Sequence, residues 1–465
     1  MKSTRRLFVV LPILAVIALL AGCGERNPAD LPAAVGNSDP LVFDDAWGAD
    51  VYFQAFAQTH VTAVSTDSVY AYGGGYALDG ARSLKVNVPP EGSSLGLFTG
   101  GVVTSAGARD LADYNALTFY ARANQDLVVD VFGFGNDNTG TSKYEAGRGN
   151  VAIGRDWSFV IVPIPDASKL RSERGLFTIA EGIDPALPDG YDIWVDEIRY
   201  AKLGNIEIYR AIMASANVSS FIGASLPISG TRTIFQIDGG FVPVDHMPGY
   251  FDYVSSEPSV ARLADNTIHL VGTGSSIVTA KLGDLDVAGT VTVTGYEPPT
   301  GPAPTPTLPA TDVISLFSGP YVDMPVVSWR ANWGGSTTQY SEYDIDGDTA
   351  KLYSSLNFVG IDFADFPIDA AAMTHLHLDV YAPAGTNFKV KLVSFPASGG
   401  AETPDLILDG ATTPAFTAGG WSSLDLPLAD FTLPAGDWDW GAIGQLVLST
   451  NDSRLVLVDN IYFHK

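Results

Sequence analysis

The sequence predicts an all-β protein, on three observations. Apolar and polar residues alternate over short segments such as Ser83–Val88, Leu117–Ala121 and Asp192–Tyr200, each bounded by Gly, Asn or Asp turns. No amphipathic helical pattern runs longer than about three turns. One order of segments also occurs twice, once toward each end of the chain.

At the N-terminus, Lys2, Arg5 and Arg6 precede an apolar run from Leu7 to Leu20 and a small-residue exit, the pattern of a signal peptide over residues 1–22. The exit Leu20-Ala21-Gly22-Cys23 resembles the lipobox of bacterial lipoproteins. That resemblance implies cleavage before Cys23, the single cysteine of the 465 residues, and acylation of its thiol and amine. Gly24, where an aspartate would retain the protein at the inner membrane, suggests export further out. The expected location is therefore the outer membrane of a Gram-negative cell, lipid-anchored and facing outward.

Residues 23–40 are polar and rich in Pro and Gly, as suits a flexible tether. A domain over 41–203 follows, then a different texture over 204–296. The stretch 297–309 holds six prolines in thirteen residues and reads as an extended linker. A final domain occupies 310–465.

The repeat links the first and last of these domains. Ile193-Trp-Val-Asp-Glu-Ile-Arg-Tyr200 matches Val456-Leu-Val-Asp-Asn-Ile-Tyr-Phe463, each with an acidic residue between apolar ones. Trp157 precedes Asp196 at nearly the spacing by which Trp421 precedes Asp459, and Tyr114–Arg122 corresponds to Met373–Pro383. This order resembles the galactose-binding-like jelly rolls of carbohydrate-binding modules. Within the last domain, Ser328–Ser336, Leu356–Phe363 and Thr374–Asp379 look more specifically like modules appended to bacterial β-glucanases and found on surface glycan-binding lipoproteins. In the middle, Val254-Ser-Ser-Glu-Pro-Ser-Val-Ala261 and the hairpin from Ile268 to Gly283 are similar to bacterial Ig-like domains. The resemblances together imply two β-jelly-roll sandwiches separated by an Ig-like spacer.

Charge narrows the partners. The chain carries 26 basic and 52 acidic residues, a net charge of -26, and loss of Lys2, Arg5 and Arg6 with the signal peptide leaves about -29. Nucleic acid and anionic polymers are disfavoured by that field, so a neutral glycan fits better. Sugars stack their C–H faces on exposed rings while amides, carboxylates and guanidinium groups meet their hydroxyls. Candidate platforms of that kind are Trp329, Trp333, Trp438 and Trp440, with Arg330 and Tyr340 beside them, and in the first domain Trp47, Tyr72 and Tyr76.

The jelly-roll resemblance implies a structural Ca²⁺ joining the opening segment to the closing strand, at Asp44 or Asp45 with Asp196 and at Asp323 with Asp459. His375 and His377 share one strand face, but no third ligand is evident beside them, so a metal site is not expected there. No nucleophile elbow, zincin helix, phosphate loop or glycosidase-type Glu pair occurs. The expectation is a non-catalytic protein that captures polysaccharide, with laminarin-like β-1,3-glucan the first candidate by resemblance and an outer-membrane glycan uptake system a further partner. The alternatives are an adhesin or protein-assembly factor and, behind it, a glycoside hydrolase.

Overall fold

A computed structural model describes residues 37–56, 77–80, 82–94, 96–452 and 454–465. The expected lipidation site Cys23 and the ring candidates Tyr72 and Tyr76 lie outside the described residues. Within them the chain is all-β, its strands joined by turns and a few 3-10 turns, and no helix is long and apolar enough to cross a membrane.

The first domain is built on two sheets. One runs in the order Ala46–Trp47, Leu41–Asp44, Tyr191–Ala201, Ala116–Ala123, Ser158–Pro163, with Leu84–Val88 also paired to Tyr191–Ala201. Alternation sends Leu117, Phe119 and Ala121 inward from the strand Ala116–Ala123. There Phe119 meets Phe132 and Phe177 of the second sheet, at ring distances of 4.8 and 5.3 Å. Burying such a ring contributes about 1.5–3 kcal/mol, so this aromatic layer between the sheets is a main source of stability in a chain with one cysteine.

The second sheet has eight strands, and three of them come from beyond residue 204. Its order is Ile206–Ile212, Arg232–Ile237, Gly240–His246, Ala146–Ile153, Leu127–Phe134, Glu173–Gly182, Phe98–Arg109, Val51–Ala55. The junction is the backbone pairing of Asp245 with Gly147 and His246 with Ala146. The apolar core continues across it through Phe235, Val244, Tyr250 and Phe251. The remaining middle strands form a small sandwich of their own. In it Ala216–Phe221 runs parallel to Val291–Tyr296 over a core of Ile268, Leu270, Val278 and Val293.

The C-terminal domain repeats the two-sheet plan. Its six-stranded sheet orders Gln339–Ile345, Asp348–Ser354, Leu455–His464, His375–Tyr381, Trp421–Pro427, with Val313–Phe317 on Leu455–His464. The closing strands Tyr191–Ala201 and Leu455–His464 thus hold the same place, each between an opening strand and a mid-domain strand. That position explains their matching sequences: a central strand enclosed on both faces needs apolar residues almost throughout, and Leu455–His464 is buried along its whole length.

The proline-rich stretch lies on this domain. Ala303 is buried, Trp421 Nε1 donates to the Gly301 carbonyl at 2.9 Å and Asn460 Nδ2 to the Pro304 carbonyl at 3.0 Å. Phe221 of the middle sandwich packs on Tyr343 and Tyr381 at 5.1 and 6.2 Å. Ring packing and linker contacts therefore join the middle and last domains.

Buried carboxyls give the fold a pH dependence. Glu181 accepts hydrogen bonds from the Tyr191 hydroxyl and from the Asp130 amide, the latter at 2.6 Å, and burial pushes its carboxyl up to about 7. Burial and the nearby Asp137 do the same for Glu173, also to about 7. Both folded values lie above the unfolded value of about 4.3, so the folded state holds the extra protons and stability is lost as pH rises through 7. The melting temperature is expected to be higher at pH 5 than at pH 8, and Glu181→Gln is expected to flatten that slope. A wild-type protein equally stable at both values by scanning fluorimetry would refute the assignment.

Candidate functional site

The second sheet of the C-terminal domain carries a wide groove. Its strands run Phe358–Asp362, Ile443–Ser449, Asn387–Ser394, with Ala401–Glu402 and Leu406–Asp409 also paired to Asn387–Ser394. Phe388, Val390 and Leu392 enter the core, which turns Lys389, Lys391 and Val393 outward. Gln445, Val447 and Ser449 alternate outward against Leu446 and Leu448 in the same way. Strand register then lays three rows across the outer face: Phe358–Ser449–Lys389, Gly360–Val447–Lys391 and Asp362–Gln445–Val393.

Gly360 seats the key ring. A Cβ added there would fall 2.3 Å from Cη2 of Trp333, so the indole lies on bare backbone and only glycine leaves room for it. The loop carrying Trp333 is tightly held. Ala331 N donates to the Gly360 carbonyl at 2.9 Å. Ser336 Oγ and Thr338 Oγ1 donate to the Phe358 carbonyl at 2.8 and 2.7 Å, and Asn357 Nδ2 donates to the Gly335 carbonyl at 2.8 Å. A ring fixed before a ligand arrives loses little entropy on binding.

The groove that results measures about 770 Å³. Phe395 closes one end, against Gly444, where an added Cβ would lie 2.7 Å from its ring. Polar groups stand between the rings. Lys389 Nζ donates to Asn451 Oδ1 at 2.8 Å, Lys391 lies 3.3 Å from Glu402 and 3.7 Å from Asp405, and Gln445 Nε2 donates to Asp362 Oδ1 at 3.2 Å. Two ammonium groups and two carboxylates leave the groove near electrical balance within a strongly acidic protein.

Of the described ring residues that the sequence singled out, Trp333 alone lines this groove. Trp329 packs edge-on to Phe317 at 5.6 Å and shares with it the buried ammonium of Lys351, 4.5 and 4.0 Å from the two ring centres. Lys351 in turn binds Glu342 at 2.7 Å. Arg330 Nε donates to the Thr338 carbonyl. Tyr340 leans on Tyr353 at 5.7 Å, and burial together with Glu342 pushes its hydroxyl up to about 12. Trp438 and Trp440 meet edge to face at 5.3 Å and pack on the core. Trp440 also lines a separate hollow with Met373 and Phe431. In the first domain Trp47 stands against Phe43 at 5.1 Å.

Phe358, Phe395, Lys389, Lys391 and Gln445 were not foreseen. Alternation marks Lys389 and Lys391 as outward, but which sheet face is grooved depends on the Trp333 loop folding back over Gly360. His375 and His377 gain neighbours that the sequence does not bring together. His464 Nε2 lies 2.7 Å from Asp425 Oδ1, His377 Nδ1 lies 3.4 Å from the same oxygen, and His375 stacks on His464 at 5.0 Å. Among the described residues no group of three His, Cys, Asp or Glu is placed to hold a metal ion.

The two acidic pairs expected for calcium differ. Asp323 accepts from Ser315 Oγ and Ser318 N at 2.6 and 3.1 Å, whereas Asp459 lies among Asp348, Asp379 and Lys351, and burial pushes it up to about 6. The amide of Asn460 donates to Asp379 Oδ2 at 2.8 Å and accepts from Ser318 Oγ at 2.8 Å. With these partners the Asp323 and Asp459 pair does not fit a shared cation. In the first domain, Asp196 is fully buried and its carboxyl is raised by burial and by the charges of Asp44 and Asp45. It accepts from Leu78 N at 2.9 Å, and Asp45 accepts from Arg82 N at 2.7 Å. Mutual repulsion among these carboxylates is the kind a divalent ion relieves.

No protein-family model matches the chain, and no curated protein matches it. Among solved structures the chain is similar to a family 30 carbohydrate binding module, at 13% identity over 33% of this chain and 87% of that one, with a TM-score of 0.26. It is similar also to the family 11 carbohydrate-binding module of a cellulosomal cellulase of Clostridium thermocellum, at 12% identity over 31% and 96%, TM-score 0.22. A third is the CBM22-1-CBM22-2 tandem domain from Paenibacillus barcinonensis Xyn10C, at 9% identity over 93% and 100%, TM-score 0.22. At scores this low the reading of the site rests on the groove's own geometry.

Proposed function

We propose that this protein is a non-catalytic glycan-binding lipoprotein that holds a neutral polysaccharide in the Trp333 groove. The observation that carries the reading is the indole seated on Gly360, with Phe395 at the end of the same trough and amide, hydroxyl and ammonium groups between them. A pyranose laid on the ring buries its apolar face, while the flanking groups both donate and accept. Balanced charge in the groove favours a neutral chain, and laminarin-like β-1,3-glucan is the first candidate. Glu402 and Asp405 share one ammonium, that of Lys391, which suits holding a sugar better than protonating a leaving group.

In this proposal the lipid on Cys23 anchors the protein in the outer membrane with its glycan groove outward, alongside an outer-membrane uptake system, and the Ig-like middle domain acts as the spacer. Affinity electrophoresis against laminarin, mixed-linkage glucan, xylan and mannan tests the reading. Retardation by at least one is expected without release of reducing ends. No retardation by any would favour the adhesin reading, which draws on the exposed Tyr209 and Phe241 pair, 4.6 Å apart, on the edge strand Ile206–Ile212 and on Gly240–His246 of the eight-stranded sheet.

Structural calcium at Asp45 and Asp196 belongs to the same proposal, Asp196 and Asp45 supplying carboxylate oxygens. Millimolar Ca²⁺ is expected to raise the melting temperature of the wild type and to leave Asp196→Asn unmoved. An equal response in both proteins would place the ion elsewhere.

A further inference from the structure

We propose that the eight-stranded sheet carries a second binding trough, shared between the first domain and the middle segment, that takes a neutral saccharide. The inference rests on the glycan-binding reading above and adds a site that the Trp333 groove does not include. The trough measures about 460 Å³. Its floor is one row of cross-strand partners: Thr178 opposite Gly133, Gly133 opposite Gly147, and Gly147 opposite Asp245. Directly paired residues share a sheet face, so these four point the same way, and three inter-strand steps separate the ends of the row by about 14 Å. The two central positions are glycines, which leave backbone bare between a hydroxyl at one end and a carboxylate at the other.

The hydroxyl is the telling group. Thr178 is 5% exposed, faces the trough, and its Oγ1 has no hydrogen-bond partner. Leaving a buried hydroxyl unpaired costs about 1–3 kcal/mol, a cost that a ligand oxygen at this place removes. Asp245 and Glu145 also line the trough, and no lysine or arginine does among the described residues. The adjoining Arg232 is held by Asp245 in a two-point pair, with NH2 at 2.9 Å from Oδ2. His246 is buried, and desolvation pushes its imidazole down to about 4, so it brings no charge at neutral pH. Carboxylates with no free cation exclude an anionic ligand. A partner that donates to carboxylates and accepts from Thr178 within one small volume is a polyol ring, whose hydroxyls do both. Among the described residues the trough has no Phe, Tyr or Trp platform, so the ring is held by its edges over the glycines, unlike a sugar stacked on Trp333.

Met247 lines the same trough and gives a local readout. The full mature chain labelled with ε-¹³C-methionine is titrated with the tetrasaccharides of β-1,3-glucan, β-1,4-glucan, xylan and mannan, in the wild type and in Trp333→Ala. A saturable shift of the Met247 methyl in both proteins is expected. Thr178→Val, which keeps the side-chain shape, is expected to weaken that response about 3- to 10-fold with unchanged or raised melting temperature. Gly147→Leu is expected to abolish the response while electrophoretic retardation through the Trp333 groove persists. Retardation by a glycan with a silent Met247 methyl overturns the second site and leaves the proposed function standing. A Met247 response that survives in Trp333→Ala, with no wild-type retardation depending on Trp333, upholds the second site and overturns the first. Silence in both assays overturns both.

Discussion

Trp333→Ala is expected to weaken retention of the bound glycan about 10- to 100-fold, the loss of one stacked ring worth ~1.5–3 kcal/mol. The melting temperature is expected to change little, because Trp333 is only partly buried and lies on the sheet's outer face over Gly360. Gly360→Val makes the sharper case. It leaves the indole in the chain but places side-chain atoms where the ring now rests, 2.3 Å from the position of a Cβ, so the ring is lifted from its seat. Both variants should lose affinity to a similar degree, measured by calorimetry against whichever glycan retards the wild type. Should Trp333→Ala bind as tightly as the wild type, the groove is not where the glycan sits. By contrast, Trp329→Ala is expected to cost stability before affinity, since its ring holds the buried Lys351 ammonium.

That contrast shows why the class of structure was legible in the sequence while the site was only partly so. Alternation is a property of single strands, and the closing strands at Asp196 and Asp459 announce themselves because a central strand between two packed layers tolerates little besides apolar residues. Indoles carry no such mark. Trp329 and Trp333 lie four residues apart in one Gly/Ser-rich loop, yet the fold gives the first to a lysine and the second to the open face. What separates them is Gly360, a residue distant in sequence whose missing side chain creates the seat. Phe395 escaped notice for the same reason: its ring lies against Gly444, a residue far along the chain whose missing side chain leaves the room. Strand pairing is equally silent about membership. Arg232–Ile237 and Gly240–His246 pair as a hairpin, but nothing in their sequence tells which sheet the hairpin joins, and here Asp245 and His246 continue the sheet of the first domain.

Asn460→Asp is expected to destabilise the C-terminal domain by about 3–5 kcal/mol at neutral pH. Asn460 is 4% exposed. Its amide nitrogen serves two acceptors, the Asp379 carboxylate at 2.8 Å and the Pro304 carbonyl at 3.0 Å. Replacing that donor with a carboxylate sets an acid against the buried Asp379 and beside Asp459, already pushed up to about 6 by burial and by neighbours that include Asp379 and Asp348. The new carboxyl therefore has a folded pKa above its unfolded value of about 3.9. The variant's deficit then grows as pH rises above about 4 and shrinks below it, where the carboxyl is protonated in both states and can again donate. Asn460→Ala removes the two donated bonds, and the Ser318 bond as well, without adding charge, so its deficit is expected to lack this pH dependence. Urea unfolding of the two variants at pH 4 and pH 7 separates the contributions. Because the Pro304 contact is lost in both, release of the proline-rich stretch would appear equally in each, as protease cleavage near residues 300–306, while the electrostatic cost would appear in Asn460→Asp alone. Equal deficits at both pH values would overturn the electrostatic cost assigned to the new carboxylate and leave the lost amide hydrogen bonds as the whole effect.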